Sequence, residues 1–176
     1  VNSMSKIDST ANIEIPSIDE EKVESLNRQI GEWLKKANVK AKPLPFGHGW
    51  ASIWDISGKS YEVVLGVSAM WIAIKAPIVS PLTSSSDIEI TEDLKDAILA
   101  ANWNMCRMVY SMDSLTNGIW CQADILSKSA TPESVISALS AVIQGIYYFV
   151  EKLVPDLRGA AGEAKSQGDD TGKFYV

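Results

Sequence analysis

Between residues 49 and 79 apolar and polar side chains alternate three times over, and each run breaks at a stretch suited to a turn. A period of two marks strands with one buried face and one wet face. It predicts strands at about 49–57, 60–67 and 70–79. Gly58-Lys59 reads as a two-residue hairpin turn with Gly first, and Ser68-Ala69 as the second turn. A slip of one residue would flip every side chain, so the pattern tests the register. Trp54 then lies opposite Val63, and Val63 opposite Ile74. One face carries Trp50, Trp54, Ile56, Tyr61, Val63, Leu65, Val67, Met70, Ile72 and Ile74. The other carries Ile53, Asp55, Glu62, Val64, Trp71, Ala73 and Lys75. Glu62 sits opposite Lys75, a favourable cross-strand pair, and also opposite Asp55, which is unfavourable unless Lys75 reaches both.

A second hairpin follows, with strands at about 105–113 and 118–126 and a turn from Ser114 to Asn117. Arg107 lies opposite Asp124. One face carries Cys106, Met108, Tyr110, Met112, Ile119, Cys121, Ala123 and Ile125. The other carries Arg107, Val109, Trp120, Gln122 and Asp124. Cys121 falls opposite Tyr110, too far along the strand from Cys106 for a disulfide, so both read as buried free thiols.

Three helices frame these strands. Ser17-Ile-Asp-Glu20 has capping-box spacing, and Val23, Leu26, Ile30, Trp33, Leu34 and Ala37 then share one face to about Ala37. Glu92 and Asp93 open a helix over about 92–103. Thr131-Pro132-Glu133 opens a last helix that runs to Val154, before Pro155. Lys42–Gly47, with two prolines, reads as a linker, and Pro81 with Ser84–Ser86 as a loop. Residues 1–16 read as a mobile arm, 17–157 as one α+β domain, and 158–176 as a flexible tail. The fold class is α+β, a five-stranded antiparallel sheet in the order α-β-β-β-α-β-β-α.

Composition excludes several function classes. The chain has 176 residues, 46% of them apolar, and a formal net charge of -6. A phosphate backbone needs clustered Lys and Arg, so nucleic-acid binding is set aside. The apolar run Val135–Val154 is interrupted by Ser137, Ser140, Gln144 and Glu151, which favours a buried amphipathic helix over a membrane span. No basic segment followed by an apolar run opens the sequence, and a cytoplasmic location is the expectation. No CxxC or HxxxH occurs, so no metal or cofactor is expected. His48 is the single histidine, in Phe-Gly-His-Gly-Trp, with no visible catalytic partners. It reads as a loop residue, and an enzyme built around it is the weaker alternative.

Six tryptophans remain to be explained. Trp33, Trp50 and Trp54 belong to the core. Trp71 and Trp120 fall on the mixed sheet face, and Trp103 lies with Leu99 away from the helical stripe Leu94, Ala97, Ile98 and Ala101. Exposed aromatics of this kind are typical of protein interfaces. The candidate contact set is Trp71, Trp120, Ile53, Val64 and Val109, with Glu62, Lys75, Arg107 and Asp124 as a polar rim.

The element order, with Pro132 and the Gly58 turn as consistent details, resembles the type III secretion chaperone-like fold. That group includes bacterial sensory-transduction-regulator relatives, and cyanobacteria are a candidate source. The resemblance covers residues 17–155. It implies a homodimer that holds an extended segment of a partner protein, with Leu99 and Trp103 at the dimer interface and no catalytic residues. The readings that follow are a protein-binding module, or a client-free regulatory dimer.

Overall fold

The computed structural model describes residues 19–80, 88–105, 107–113 and 118–159. The expected arm, the loop around Pro81 and Ser84–Ser86, Cys106, the Ser114–Asn117 turn and the chain beyond Gly159 lie outside the described residues. Helix α1 spans Glu20–Lys36 and buries Val23, Ile30 and Leu34, as the helical spacing predicts. Its cap is Asp19 rather than Ser17: the Asp19 carboxylate accepts from the Lys22 N–H at 3.2 Å and adds negative charge at the positive helix end.

The sheet has six strands rather than five, all antiparallel, in the order β1-β2-β3-β4-β6-β5. The added strand is β1, Ala41–Pro43, which lies where a linker was expected and pairs with Trp50–Ser52. Pro43 is compatible with it because an edge strand can go without one donor. Strands β2 (Gly49–Ile56), β3 (Lys59–Val67) and β4 (Trp71–Val79) follow.

The hairpin faces are as expected, but the register is not. Ile56 pairs with Lys59, so the turn is Ser57-Gly58, with φ of 53° and 75°. Two positive φ values match the twist of the flanking strands. Trp54 pairs with Tyr61 and Leu65 with Ile74, each two residues from the expected partner. A two-residue shift preserves every face. It also removes the expected like-charge contact: Asp55 pairs with Ser60, whose hydroxyl donates to it at 2.5 Å, and Glu62 pairs with Ile53. Lys75 stands opposite Val64, so the Glu62–Lys75 pair is not formed.

Helix α2, Glu92–Asn104, is capped by the Thr91 side chain. Strand β5, Val109–Asp113, is shorter than the expected 105–113, because Met105 still belongs to the end of α2. Strand β6, Gly118–Leu126, has the expected bounds, and Tyr110 pairs with Cys121 as expected.

Helix α3, Pro132–Tyr148, opens on a capping box between Thr131 and Ser134. It does not stop before Pro155. A π-helical turn at Phe149–Leu153 leads into helical backbone that reaches Gly159. A π turn just ahead of a proline opens the ladder where the ring has no N–H to give. The helix Pro132–Gly159 is long and apolar enough to cross a membrane by length and composition. In this fold it is the core helix: Val135, Val142, Ile146 and Phe149 are fully buried.

Helices α1 and α3 cover one face of the sheet, and α2 packs beside β5. The covered face buries Val63, Leu65, Ile72, Ile74, Ile119 and Cys121. Two glycines allow this closeness. Gly31 on α1 leaves room for the Trp50 ring, whose Nε1 donates to the Asn27 carbonyl at 3.1 Å. Gly145 on α3 faces Cys121 and Met108, and its carbonyl accepts from the Tyr110 hydroxyl at 2.7 Å. Cys121 is a buried free thiol that donates to the Val142 carbonyl.

Candidate protein-interaction surface

The opposite sheet face carries the residues that the alternation turns outward, several of them exposed. One row runs Ala51–Val64–Lys75–Gln122–Val109 across five strands. The next runs Gly49–Gly66–Ala73–Asp124. Ile53 is 70% exposed, Trp71 45% and Val109 42%, while Val64 and Trp120 are half-buried.

The structure brings these residues onto one face but not into one patch. Trp71 stands opposite Leu126, and Trp120 opposite Pro77. Six residues along β4 separate the two positions, about 20 Å at the rise of a strand. Val64 and Val109 are separated by Lys75 and Gln122. The charged residues interleave with the apolar ones: Lys75 sits mid-row, Asp124 stands against Ala73, and Glu62 against Ile53. Arg107 precedes β5 and donates to the Ser137 hydroxyl, not to Asp124.

Sequence reasoning missed three features. Met70 is 50% exposed and Leu126 38%, and together with Trp71 they make an apolar cluster at one end of the outer face. The alternation had assigned Met70 to the covered face, but it lies in the turn ahead of β4, where alternation gives no signal. Asn102 on α2 clamps the backbone of Tyr110 with two hydrogen bonds. The third is a cleft of about 820 Å³ cut into the sheet margin between Met105, Arg107, Met108 and Val109 on one side and β6 and the start of α3 on the other.

Leu99 and Trp103 are 66% and 91% exposed on α2. His48 Nε2 lies 2.8 Å from Glu20 Oε1, which ties the loop ahead of β2 to the first turn of α1. Among the described residues, no group of three or more His, Cys, Asp or Glu is placed to hold a metal.

No protein-family model and no curated protein sequence matches the chain. Solved structures do. The protein in the crystal structure of the ExsC-ExsE complex superposes with a TM-score of 0.52 at 15% identity, covering 74% of this chain and 95% of that one. The Yersinia pestis type III secretion chaperone SycH, solved with a stable fragment of YscM2, gives a TM-score of 0.44 at 10% identity, covering 69% and 96%. The first likeness shows a shared fold: an α+β architecture with one antiparallel sheet and flanking helices.

Proposed function

We propose that this chain is a non-enzymatic protein-binding module that holds an extended segment of a partner protein, and that it works as a cytoplasmic homodimer. The observation that carries the reading is the outer sheet face, which displays Ile53, Trp71 and Val109 to solvent. Large exposed aromatics cost solubility unless a partner covers them, and they supply much of the energy of protein interfaces. The fold shared with a protein solved in complex with a partner supports the same reading. The scattered arrangement favours a long, thin partner: a segment laid along the strands meets Trp71 and Trp120 in turn, whereas a compact one meets either. Replacing Trp71 and Trp120 by Ser keeps the far-ultraviolet circular dichroism of the parent and abolishes partner capture in a quantitative pull-down. Undiminished capture by that double variant defeats the reading.

A second reading, a client-free regulatory dimer, is favoured by Leu99 and Trp103, which lie exposed one helical turn apart on α2. It places function in the dimer surface alone. Trp103→Glu then yields a monomer by light scattering and removes activity in the cell, while the double serine variant of the sheet face has no effect.

A further inference from the structure

The cleft at the β6 margin combines open main-chain hydrogen-bonding groups on a strand with walls on both sides of it. The Tyr110 N–H and C=O both bond the Asn102 side chain, so they turn away from β6. In an antiparallel ladder these directions alternate. On β6, therefore, Gln122 and Asp124 turn their N–H and C=O toward the β5 side. Ser127 confirms the alternation by donating its N–H to Met70 on the opposite side. The last residue of β5 to pair is Val109, opposite Gln122. Beyond it, the chain diverts toward α2, and the main-chain N–H and C=O of Asp124 face the cleft with no backbone partner among the described residues, while the Leu126 carbonyl is taken up by the 3-10 turn that follows. The cleft walls draw on both faces of the sheet, with Ala123 and Ile125 from the covered side and Gln122 and Asp124 from the outer side. It is a gap in the margin, not a hollow on a face.

The geometry points to this gap as the seat of a short β-bridge, in which an extended partner segment pairs with the N–H and C=O of Asp124 and sets a Lys or Arg side chain between Asp124 and Glu133. A bare strand edge is a template for another extended chain. The charge follows from the walls: Asp124 and Glu133 line the cleft without ion-pair partners among the described residues, and Arg107, the one cation there, is bonded to Ser137. Among the described residues, the strand margins of a second copy of this chain match it poorly. The outer groups of its Tyr110 are occupied by Asn102, and its other margin, β1, has three residues ending in Pro43. This inference rests on the protein-binding reading and deepens it.

The test uses the full chain, isotope-labelled, and an acetylated, amidated heptapeptide alternating valine and lysine, followed by amide shifts in NMR. The expected result is saturable shifts at Asp124, Ile125 and the first turns of α3. They are lost when alternate peptide nitrogens are N-methylated, and affinity falls about tenfold in Asp124→Asn with Glu133→Gln, one charge-assisted contact's worth. Asp124→Pro removes the outward N–H, which the β4 ladder does not use, together with the carboxylate, so a folded Asp124→Pro chain should lose binding beyond the loss in Asp124→Asn. Equal binding by the N-methylated peptide, or by a valine–glutamate peptide, overturns the inference. Shifts confined to Ala73, Lys75 and Trp71 overturn it while leaving the protein-binding reading intact. No shift anywhere removes the bridge, and the tryptophan pull-down then decides the broader reading alone. Concentration-dependent shifts at Asp124 without peptide put a second copy in the gap and also overturn it.

Discussion

The carboxamide of Asn102 closes a ring of two hydrogen bonds on Tyr110: its Nδ2 donates to the Tyr110 carbonyl at 2.8 Å, and its Oδ1 accepts from the Tyr110 N–H at 2.7 Å. A side-chain amide has the donor and acceptor spacing of a peptide group, so α2 fills the slot where a seventh strand would pair. The margin of β5 is thereby protected from edge-to-edge association.

Replacing Asn102 by Ala leaves both groups of Tyr110 without their partner. Each lost hydrogen bond costs about 0.5–1.5 kcal/mol, and more where water cannot replace it. Asn102→Ala should therefore lower stability by about 1–3 kcal/mol in urea titration and raise the scattering mass at high concentration. Asn102→Asp keeps the acceptor but sets a carboxylate oxygen against the Tyr110 carbonyl, so it should be no better than Ala. A monomeric, equally stable Asn102→Ala chain would show that α2 is held by its apolar face alone.

The turn between β2 and β3 yields a contrast between two glycines. Gly58 has φ of 75° with nothing within 4 Å of a Cβ added there, whereas Gly66 has ordinary backbone and only the Ala73 carbonyl at 4.0 Å. Gly58→Ala should cost about 1–2 kcal/mol through backbone conformation alone. Gly66→Ala should be neutral or stabilising, since it also removes unfolded-state freedom. Thermal melts of the two variants check this, and equal effects would count against the left-handed turn.

Alkaline pH should unfold the chain from the inside. Burial pushes the Cys121 thiol up to about 12, from an ordinary value of 9.0. Burial, then the charges of Cys121 and Tyr148, raise the Tyr110 phenol above its ordinary 10.0. Both are neutral in the fold and hold their protons more tightly than the unfolded chain does. Their contribution is complete below pH 9 and is lost as pH rises from 9 toward 12. The urea midpoint should hold level up to pH 9 and then decline. In Cys121→Ala the decline should begin nearer pH 10, where Tyr110 takes over. An onset that does not move would exclude the thiol as its cause.

Much of this was legible because a strand's period is two. The faces of Trp54, Val63 and Ile74 came out correctly even though the register was two residues off. Gly58 fits either position of a two-residue turn, so sequence could not choose between them. Strand β1 was hidden because three residues carry no periodicity and Pro43 argues against a strand unless its edge position is known. The scatter of Trp71 and Trp120 depends on which ends of β4 and β6 meet, and the cleft depends on where β5 stops pairing. Both are set by the path of the chain out of α2, which no local pattern encodes.

The contact between α3 and the sheet gives the sharpest energetic test. A methyl group at position 145 would meet the Cys121 sulfur at 2.6 Å and the Met108 methyl at 2.8 Å. Met108 can swing aside, since an unbranched thioether has several rotatable bonds. Cys121 cannot, because its Cα is fixed in β6 between β4 and β5. Alanine gains about 1 kcal/mol over glycine in a helix interior. Overpacking a filled core costs about 1–3 kcal/mol, more where the neighbour is anchored. The second effect should win, and Gly145→Ala should destabilise. Removing the sulfur reverses the balance: in a Cys121→Ala background the same methyl fills the vacated space, and the helix gain remains. Gly145→Ala should then be neutral or stabilising, with a coupling of at least about 1 kcal/mol between the two sites. Simple additivity in urea titration would mean that α3 can slide away from β6 without loss, and the close approach would not be what fixes the helix on the sheet.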